Sequence, residues 1–278
     1  AEPEFWLRRR ECSIDSGAAS VNSVQYTLAD ANRWAEFSGD YNPIHFDLEQ
    51  ARLRGEGLRV HGMRALLDIK QEIARAALGL DESAAYLRCV ARLRQPVWCD
   101  TPYQLIRAGR KASIVHSDSG IASMSCQVSA VQSLVDGYKG ESGTLEAVDI
   151  IRHGQTFSAL QPHTQQWQFL DALLFRYLIH DSGLLRQQVL CHYFPENAQA
   201  SFEAIFTQFP VVQTHQELVF DRRLLASWEP SISPEALVIH IEPALLINDA
   251  PGSALVRIAA HTHYQHAFIS NAITLKIG

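Results

Sequence analysis

Residues 37–51 read Phe-Ser-Gly-Asp-Tyr-Asn-Pro-Ile-His-Phe-Asp-Leu-Glu-Gln-Ala, and residues 60–63 read Val-His-Gly-Met. A segment holding Gly39, Asp40, Asn42, Pro43 and His45 cannot continue as regular helix or strand, so it presents polar groups from a loop. That loop lies between two capped helices. Upstream, Thr27 and Asp30 form an S/T-x-x-D cap, followed by Leu28, Ala31, Trp34 and Ala35 at helical spacing to about Ser38. Downstream, Asp47 with Gln50 repeats the cap, and Gly55 offers a stop.

From Met63 to about Leu78 the apolar positions Met63, Leu66, Leu67, Ile73, Ala74, Ala77 and Leu78 keep a 3.6-residue period, ended by Gly79. Strands should follow. Leu87, Cys89, Ala91 and Leu93 alternate with Arg88, Val90, Arg92 and Arg94, and Ala122, Met124, Cys126, Val128 and Ala130 alternate with polar residues. Residues 131–149, rich in Asp, Gly, Glu and Ser, read as a linker. Beyond it the same order recurs: one long helix over about Gln165–His180, then strands near 212–225, 236–247, 253–264 and 267–277. Two copies of helix followed by antiparallel sheet make an α+β plan in which each sheet wraps one helix.

The chain has 278 residues, 47% hydrophobic and 19% charged, which suits one large or two small globular domains. A net charge of −6 supplies no basic field, so nucleic acid is not expected as a partner, whereas a small anionic metabolite needs only a local cationic patch. No apolar run approaches the roughly 18–20 residues that span a bilayer, and Ala1–Arg10 is charged instead of signal-like. No membrane partner is expected. Cys12, Cys89, Cys99, Cys126 and Cys191 are odd in number and form no C-x-x-C pair, which argues against a disulfide scaffold or zinc finger and for a reducing, cytoplasmic address.

Asp40 and His45 supply one carboxylate and one imidazole, the pair needed to move a proton onto and off water or carbon near neutral pH. His61-Gly62, at the start of the long helix, brings unpaired backbone N–H groups and the positive end of a helix dipole beside that loop, where a developing oxyanion could be held.

The run Ser38-Gly39-Asp40-x-Asn42-Pro43-x-His45, then Ala51 and His61-Gly62-Met63, resembles the signature of MaoC-like dehydratases, the hydratase-2 group of (R)-specific enoyl-CoA hydratases. The resemblance implies a double hotdog, with residues 1–135 a hotdog carrying the motif and 145–278 a degenerate one without it. It implies Asp40 and His45 as the catalytic acid/base pair, Asn42 as a shaper of the loop that helps orient water or substrate, and Gly62 as the N–H donor to the thioester oxygen. The implied reaction is reversible hydration of a trans-2-enoyl thioester of CoA or acyl carrier protein, within fatty acid metabolism, with no cofactor or metal. It also allows a homodimer. Two rivals stay open, a thioesterase on the same fold and a non-catalytic acyl-carrier docking subunit.

Two departures stand out. Arg64, Asp68 and Lys70 occupy the long helix where small or apolar residues would suit an acyl chain, so either they face outward or the substrate is short or polar. The motif also sits in the first half, whereas double-hotdog hydratases commonly carry it in the second. Other candidates are weaker. His61 either contacts the thioester or braces the helix start, and Arg88, Arg92 and Arg94 form either a phosphate-binding row or a solvated strand face. His261, His263 and His266 lack a matching carboxylate and read as a solvated or interface face instead of a metal site.

Overall fold

The computed structural model describes residues 19–134, 140–181, 183, 205, 209, 211–230, 234–250 and 253–278. The first half comprises β1 (Ser20–Val24), α1 (Leu28–Ser38), a 3-10 turn at Pro43–His45, α2 (Leu48–Leu53), α3 (Gly62–Ala77), β2 (Tyr86–Leu93), β3 (Tyr103–Ala108), β4 (Lys111–His116) and β5 (Ala122–Val131). The second comprises β6 (Glu141–Leu145), α4 (Ala147–Leu160), α5 (Gln166–His180), β7 (Val211–Asp221), β8 (Leu237–Ile241), β9 (Leu245–Ala250), β10 (Ser253–Tyr264) and β11 (Ala267–Ile277).

All pairings between these strands are antiparallel, in the order β1-β3-β4-β5-β2-β7-β11-β10-β8-β6, with β9 joined to β10. Helix α3 packs on β3, β4 and β5, and α5 on β10 and β11. This is the α+β double hotdog, and the β2–β7 ladder, from Tyr86 opposite Asp221 to Arg92 opposite His215, fuses its two sheets into one. Met63, Leu66, Leu67, Ile69 and Ile73 bury one side of α3, while Phe169, Leu170, Leu173, Leu174 and Leu178 bury α5 on nearly every face.

The expected helices at 28–38, 48–53 and 62–77 are present with their caps: Thr27 N–H donates to the Asp30 carboxylate at 2.9 Å, and Gln50 N–H donates to Asp47 at 2.9 Å. The long alternating strands β2, β5, β10 and β11 also lie where expected.

Four expectations are corrected. The stretch 131–149 is not a plain linker, since it contains β6 and the start of α4. Among the described residues the second half has a further helix, α4, ahead of the expected one; α4 carries Gly154 in its middle, where a Cβ would come within 3.0 Å of the Trp228 ring, so close packing outweighs glycine's poor helix propensity. The strand expected over 212–225 ends at Asp221, whose carboxylate accepts from Arg223 N–H and turns the chain into a 3-10 turn over Arg222–Leu225. The single strand expected over 236–247 is two, β8 and β9, separated by 242–244.

Lys70 corrects the choice posed for the charged residues of α3. It faces inward, is fully buried, and forms an ion pair with buried Asp171 of α5. Burial pushes the Asp171 carboxyl up while Lys70 and Gln216 oppose that rise. Arg64 and Asp68 lie on another face, where Asp68 accepts from Arg64 at 3.0 Å and from the Tyr26 hydroxyl at 2.7 Å.

Candidate active site

The polar loop opens at Gly39, which ends α1 in the left-handed region at φ 75° and donates its N–H to Ala35 O at 2.7 Å. A side chain there would be strained and would also collide with the His180 ring. The chain then threads through Asp40 into the 3-10 turn, where Asn42 accepts from Ile44 N–H at 3.3 Å and Pro43 occupies the first position. This turn aims His45 back at Asp40.

Asp40, His45 and His61 are all buried, and one ligand atom from each lies within 4.8 Å of the others. His45 Nδ1 lies 2.7 Å from Arg59 O. A carbonyl can only accept, so Nδ1 carries the proton and Nε2 presents a lone pair. By the same logic His61 Nε2–H donates to Asp40 O at 2.9 Å, leaving the buried Nδ1 of His61 without a partner among the described residues. The two rings stack at 3.7 Å between centroids. His61 thus braces the loop backbone, the second of the two roles posed for it.

Electrostatics separate the two groups. Burial pushes the Asp40 carboxyl up to about 7, with the Asn42 N–H, 3.2 Å from Oδ1, pulling the other way. Burial holds His45 down to about 4, the Arg59 carbonyl opposing and its guanidinium adding to the effect. His61 lies well below its ordinary value, through burial first and the His45 ring second. Near neutral pH the site therefore holds a neutral imidazole beside a carboxyl poised between its two forms.

Asp40, His45 and Gly62 line a cavity of about 280 Å³ between the halves. Met63, Leu93, Met124, Phe175, Val211 and Leu275 supply its apolar wall. Gly62 begins α3, so its N–H has no intrahelical acceptor. Its lack of a side chain permits close approach: a Cβ would sit 2.6 Å from Leu93 Cδ2 and 3.3 Å from Gln213 Oε1, so a larger residue would have to displace these side chains.

Asn42 does not line this cavity. Its Nδ2 donates to Val211 O at 3.1 Å, so its amide is engaged at both ends. The second half secures the loop elsewhere too: Arg176 donates to Phe37 O at 2.8 Å, and His180 Nε2 lies 2.9 Å from Ser38 O. These α5 side chains meet the carbonyl end of α1, where cations are favoured.

Of the basic row, Arg88 pairs with Glu217 at 2.7 Å, Arg92 is exposed, and Arg94 reaches the cavity rim together with exposed Lys276. Lys276 was not expected at the site. Nothing local in the sequence distinguishes it, since only pairing of β11 with β7 brings it there. His261 is partly buried against His240 and Phe268, and His266 sits in the β10–β11 turn with φ 66°. Among the described residues, the grouping able to bracket a cation is Asp40, His45 and His61, a two-histidine, one-carboxylate set of the kind transition metals accept. Cys89, Cys99 and Cys126 are free thiols, and no described helix is long and apolar enough to cross a membrane.

Residues 11–105 match the family model described as MaoC like domain. The chain is similar to a solved MaoC-like dehydratase at 11% identity, covering 94% of this chain and 97% of that one with a TM-score of 0.44. It is similar at 8% identity to the dehydratase domain of PpsC from Mycobacterium tuberculosis, solved in complex with C12:1-CoA, over 95% and 96% of the two chains with a TM-score of 0.43. It is similar at 10% identity to the acyl-CoA thioesterase II TesB2 from Mycobacterium marinum, over 76% and 90% with a TM-score of 0.36. At such scores none of these likenesses assigns a reaction. No curated protein matches the chain. The family match spans the whole loop from Ser38 to Met63, and the chain accordingly carries a MaoC-like domain with Asp40, Asn42, His45 and Gly62 inside it.

Proposed function

We propose that the protein is a hydro-lyase that adds water reversibly across the double bond of trans-2-enoyl thioesters, giving (R)-3-hydroxyacyl thioesters. The observation that carries this reading is the buried pair of Asp40 and His45, opposite in their shifts and facing one apolar cavity. Two groups no more than 4.8 Å apart can share a single water, because two hydrogen bonds of about 2.8 Å at a tetrahedral angle span nearly that distance.

In the hydration direction His45 Nε2 takes a proton from the water as its oxygen bonds to C3. The π electrons move to C2 and onto the thioester oxygen as an enolate, and protonated Asp40 returns a proton to C2. Gly62 N–H at the start of α3 holds the enolate oxygen, a contact that strengthens as charge develops. The thioester itself acidifies the α-position, so an acid/base pair and an oxyanion donor suffice. Arg94 and Lys276 at the rim suit the phosphates of CoA or of a carrier-protein phosphopantetheine.

The division of labour belongs to the same proposal. Residues 1–135 supply the reacting groups, while 145–278, lacking a second S-G-D-x-N-P-x-H run, close the cavity with Phe175, Val211 and Leu275. The test is loss of the conjugated enoyl-thioester absorbance when the full chain meets crotonyl-CoA, followed by chiral analysis of the product. Formation of (R)-3-hydroxybutyryl-CoA supports the reading. Release of free CoA instead overturns it in favour of thioester hydrolysis.

A further inference from the structure

Four structural elements lead away from the cavity to one buried polar cluster. On α3 the cavity is lined by Gly62 and Met63 and by no deeper residue, and two turns further in, about 10 Å along the axis, stands Lys70. On α5 the lining residue is Phe175, and one turn deeper stands Asp171. On β11 Leu275 lines the cavity and Asn271 lies deeper on the same face. On β7 Val211, Val212, Gln213 and Thr214 line the cavity, and a register shift opposite Thr274 and Leu275 follows Gln213, so that Gln216 also faces inward.

The four polar residues satisfy one another. Lys70 Nζ donates to Asp171 and, at 2.6 Å, to Gln216 Oε1. Gln216 Nε2 donates to Asp171 Oδ1 at 2.7 Å, and Asn271 Nδ2 donates to the same oxygen at 2.9 Å. None of these four side chains is left without a partner, and none lines the cavity. The cluster therefore offers nothing to a polar ligand.

Nor can an alkyl chain displace it. Parting Lys70 from Asp171 would strand a charge in the interior, a cost that burial of a few methylenes does not offset. We propose that the Lys70–Asp171–Gln216–Asn271 cluster is the stop at the inner end of the acyl pocket, so that the site accepts short-chain acyl thioesters and rejects long-chain ones. The inference rests on the proposed function in that it orients the acyl group inward from Asp40 and His45.

Binding and turnover are measured separately on the full chain. Calorimetric titration should show butyryl-CoA binding and decanoyl-CoA binding at least about 100-fold more weakly, and kcat/KM should fall roughly as much from crotonyl-CoA to trans-2-decenoyl-CoA. Equal hydration of both enoyl esters overturns the stop and leaves the hydratase reading standing. Selective binding of butyryl-CoA without hydration of crotonyl-CoA supports the stop and overturns the hydratase reading. The double substitution Lys70→Met with Asp171→Leu, which removes both charges together, should raise the decenoyl-to-crotonyl ratio about tenfold or more by making the floor deformable. If this variant folds with an unchanged ratio, the stop is overturned; if it does not fold, the wild-type length profile decides.

Discussion

Asn42 donates its side-chain amide to the carbonyl of Val211 at 3.1 Å, which ties the loop bearing Asp40 to the first residue of β7 in the other half. The bond is buried and joins positions remote in the chain. Replacing Asn42 with Ala would leave the Val211 carbonyl unsatisfied and release the 3-10 turn that aims His45. Asn42→Ala should cost about 1–3 kcal/mol of stability and reduce turnover more than it raises KM. Urea denaturation alongside steady-state kinetics on crotonyl-CoA checks both; unchanged kinetics would mean that the tie does not position the loop.

Removal of the proposed acid/base pair should have a different signature. Asp40→Asn and His45→Gln keep size and polarity and should each lower kcat by roughly 100- to 10,000-fold while circular dichroism stays the same. Near wild-type turnover in both variants would remove them from the chemistry.

The opposite shifts of Asp40 and His45 predict the pH profile of hydration. The rate should fall above about 7 as Asp40 loses its proton and below about 4 as His45 gains one. Stability is linked to the same groups. Asp40 is raised from 3.8 to about 7, so the folded state holds a proton that the unfolded state has lost, and its contribution declines as pH rises through that window. His45 is lowered from 6.5 to about 4, so its contribution is present above 6.5 and declines as pH falls through that window. Between about 4 and 6.5 the two slopes oppose each other. Thermal denaturation should therefore show Asp40→Asn steepening the acid loss of stability and His45→Gln flattening it; parallel profiles for the two variants would contradict the shifts.

Arg94 and Lys276 are exposed cations on the lining of the cavity that Asp40 and His45 share. Charge reversal of both, Arg94→Glu with Lys276→Glu, should raise KM for CoA esters severalfold with little change in kcat, and the difference should shrink at high salt. A fall confined to kcat would place them elsewhere in the cycle.

Asp40, His45 and His61 could in principle bracket a divalent ion, and the acid/base route predicts that they need none. Dialysis against a strong chelator should leave crotonyl-CoA hydration unchanged. Loss of activity with recovery on adding zinc or iron would convert the trio into a metal site.

The loop of the candidate site was legible because its signal is local. Gly39, Pro43 and the two flanking caps mark a loop whatever the remote fold, and Asp40 and His45 sit close enough in sequence for one turn to bring them together. Long alternating strands such as β11 were legible for the same reason. What lay hidden depends on contacts between distant residues. The hairpin of β3 and β4 carries Gln104 and Lys111 on its solvated face but turns Arg107 inward to Glu72 of α3, which blurs its alternation, and α4 is masked by Gly154, whose purpose is evident only once Trp228 is against it. Lys70 reads as surface on α3 until Asp171, 101 positions later, arrives beside it.

The β2–β7 ladder has a consequence for how the site depends on concentration. Phe175, Val211 and Leu275 reach the cavity from the same chain as Asp40, so closing the pocket is a unimolecular event governed by the connecting segment and the ladder. Dilution cannot pull the two walls apart as it would two separate subunits. Specific activity should hold constant down to the lowest concentration an assay can read, and on the proposed division of labour the second half is released from any need to keep such a loop, so long as its strand edge and cavity wall keep their shape.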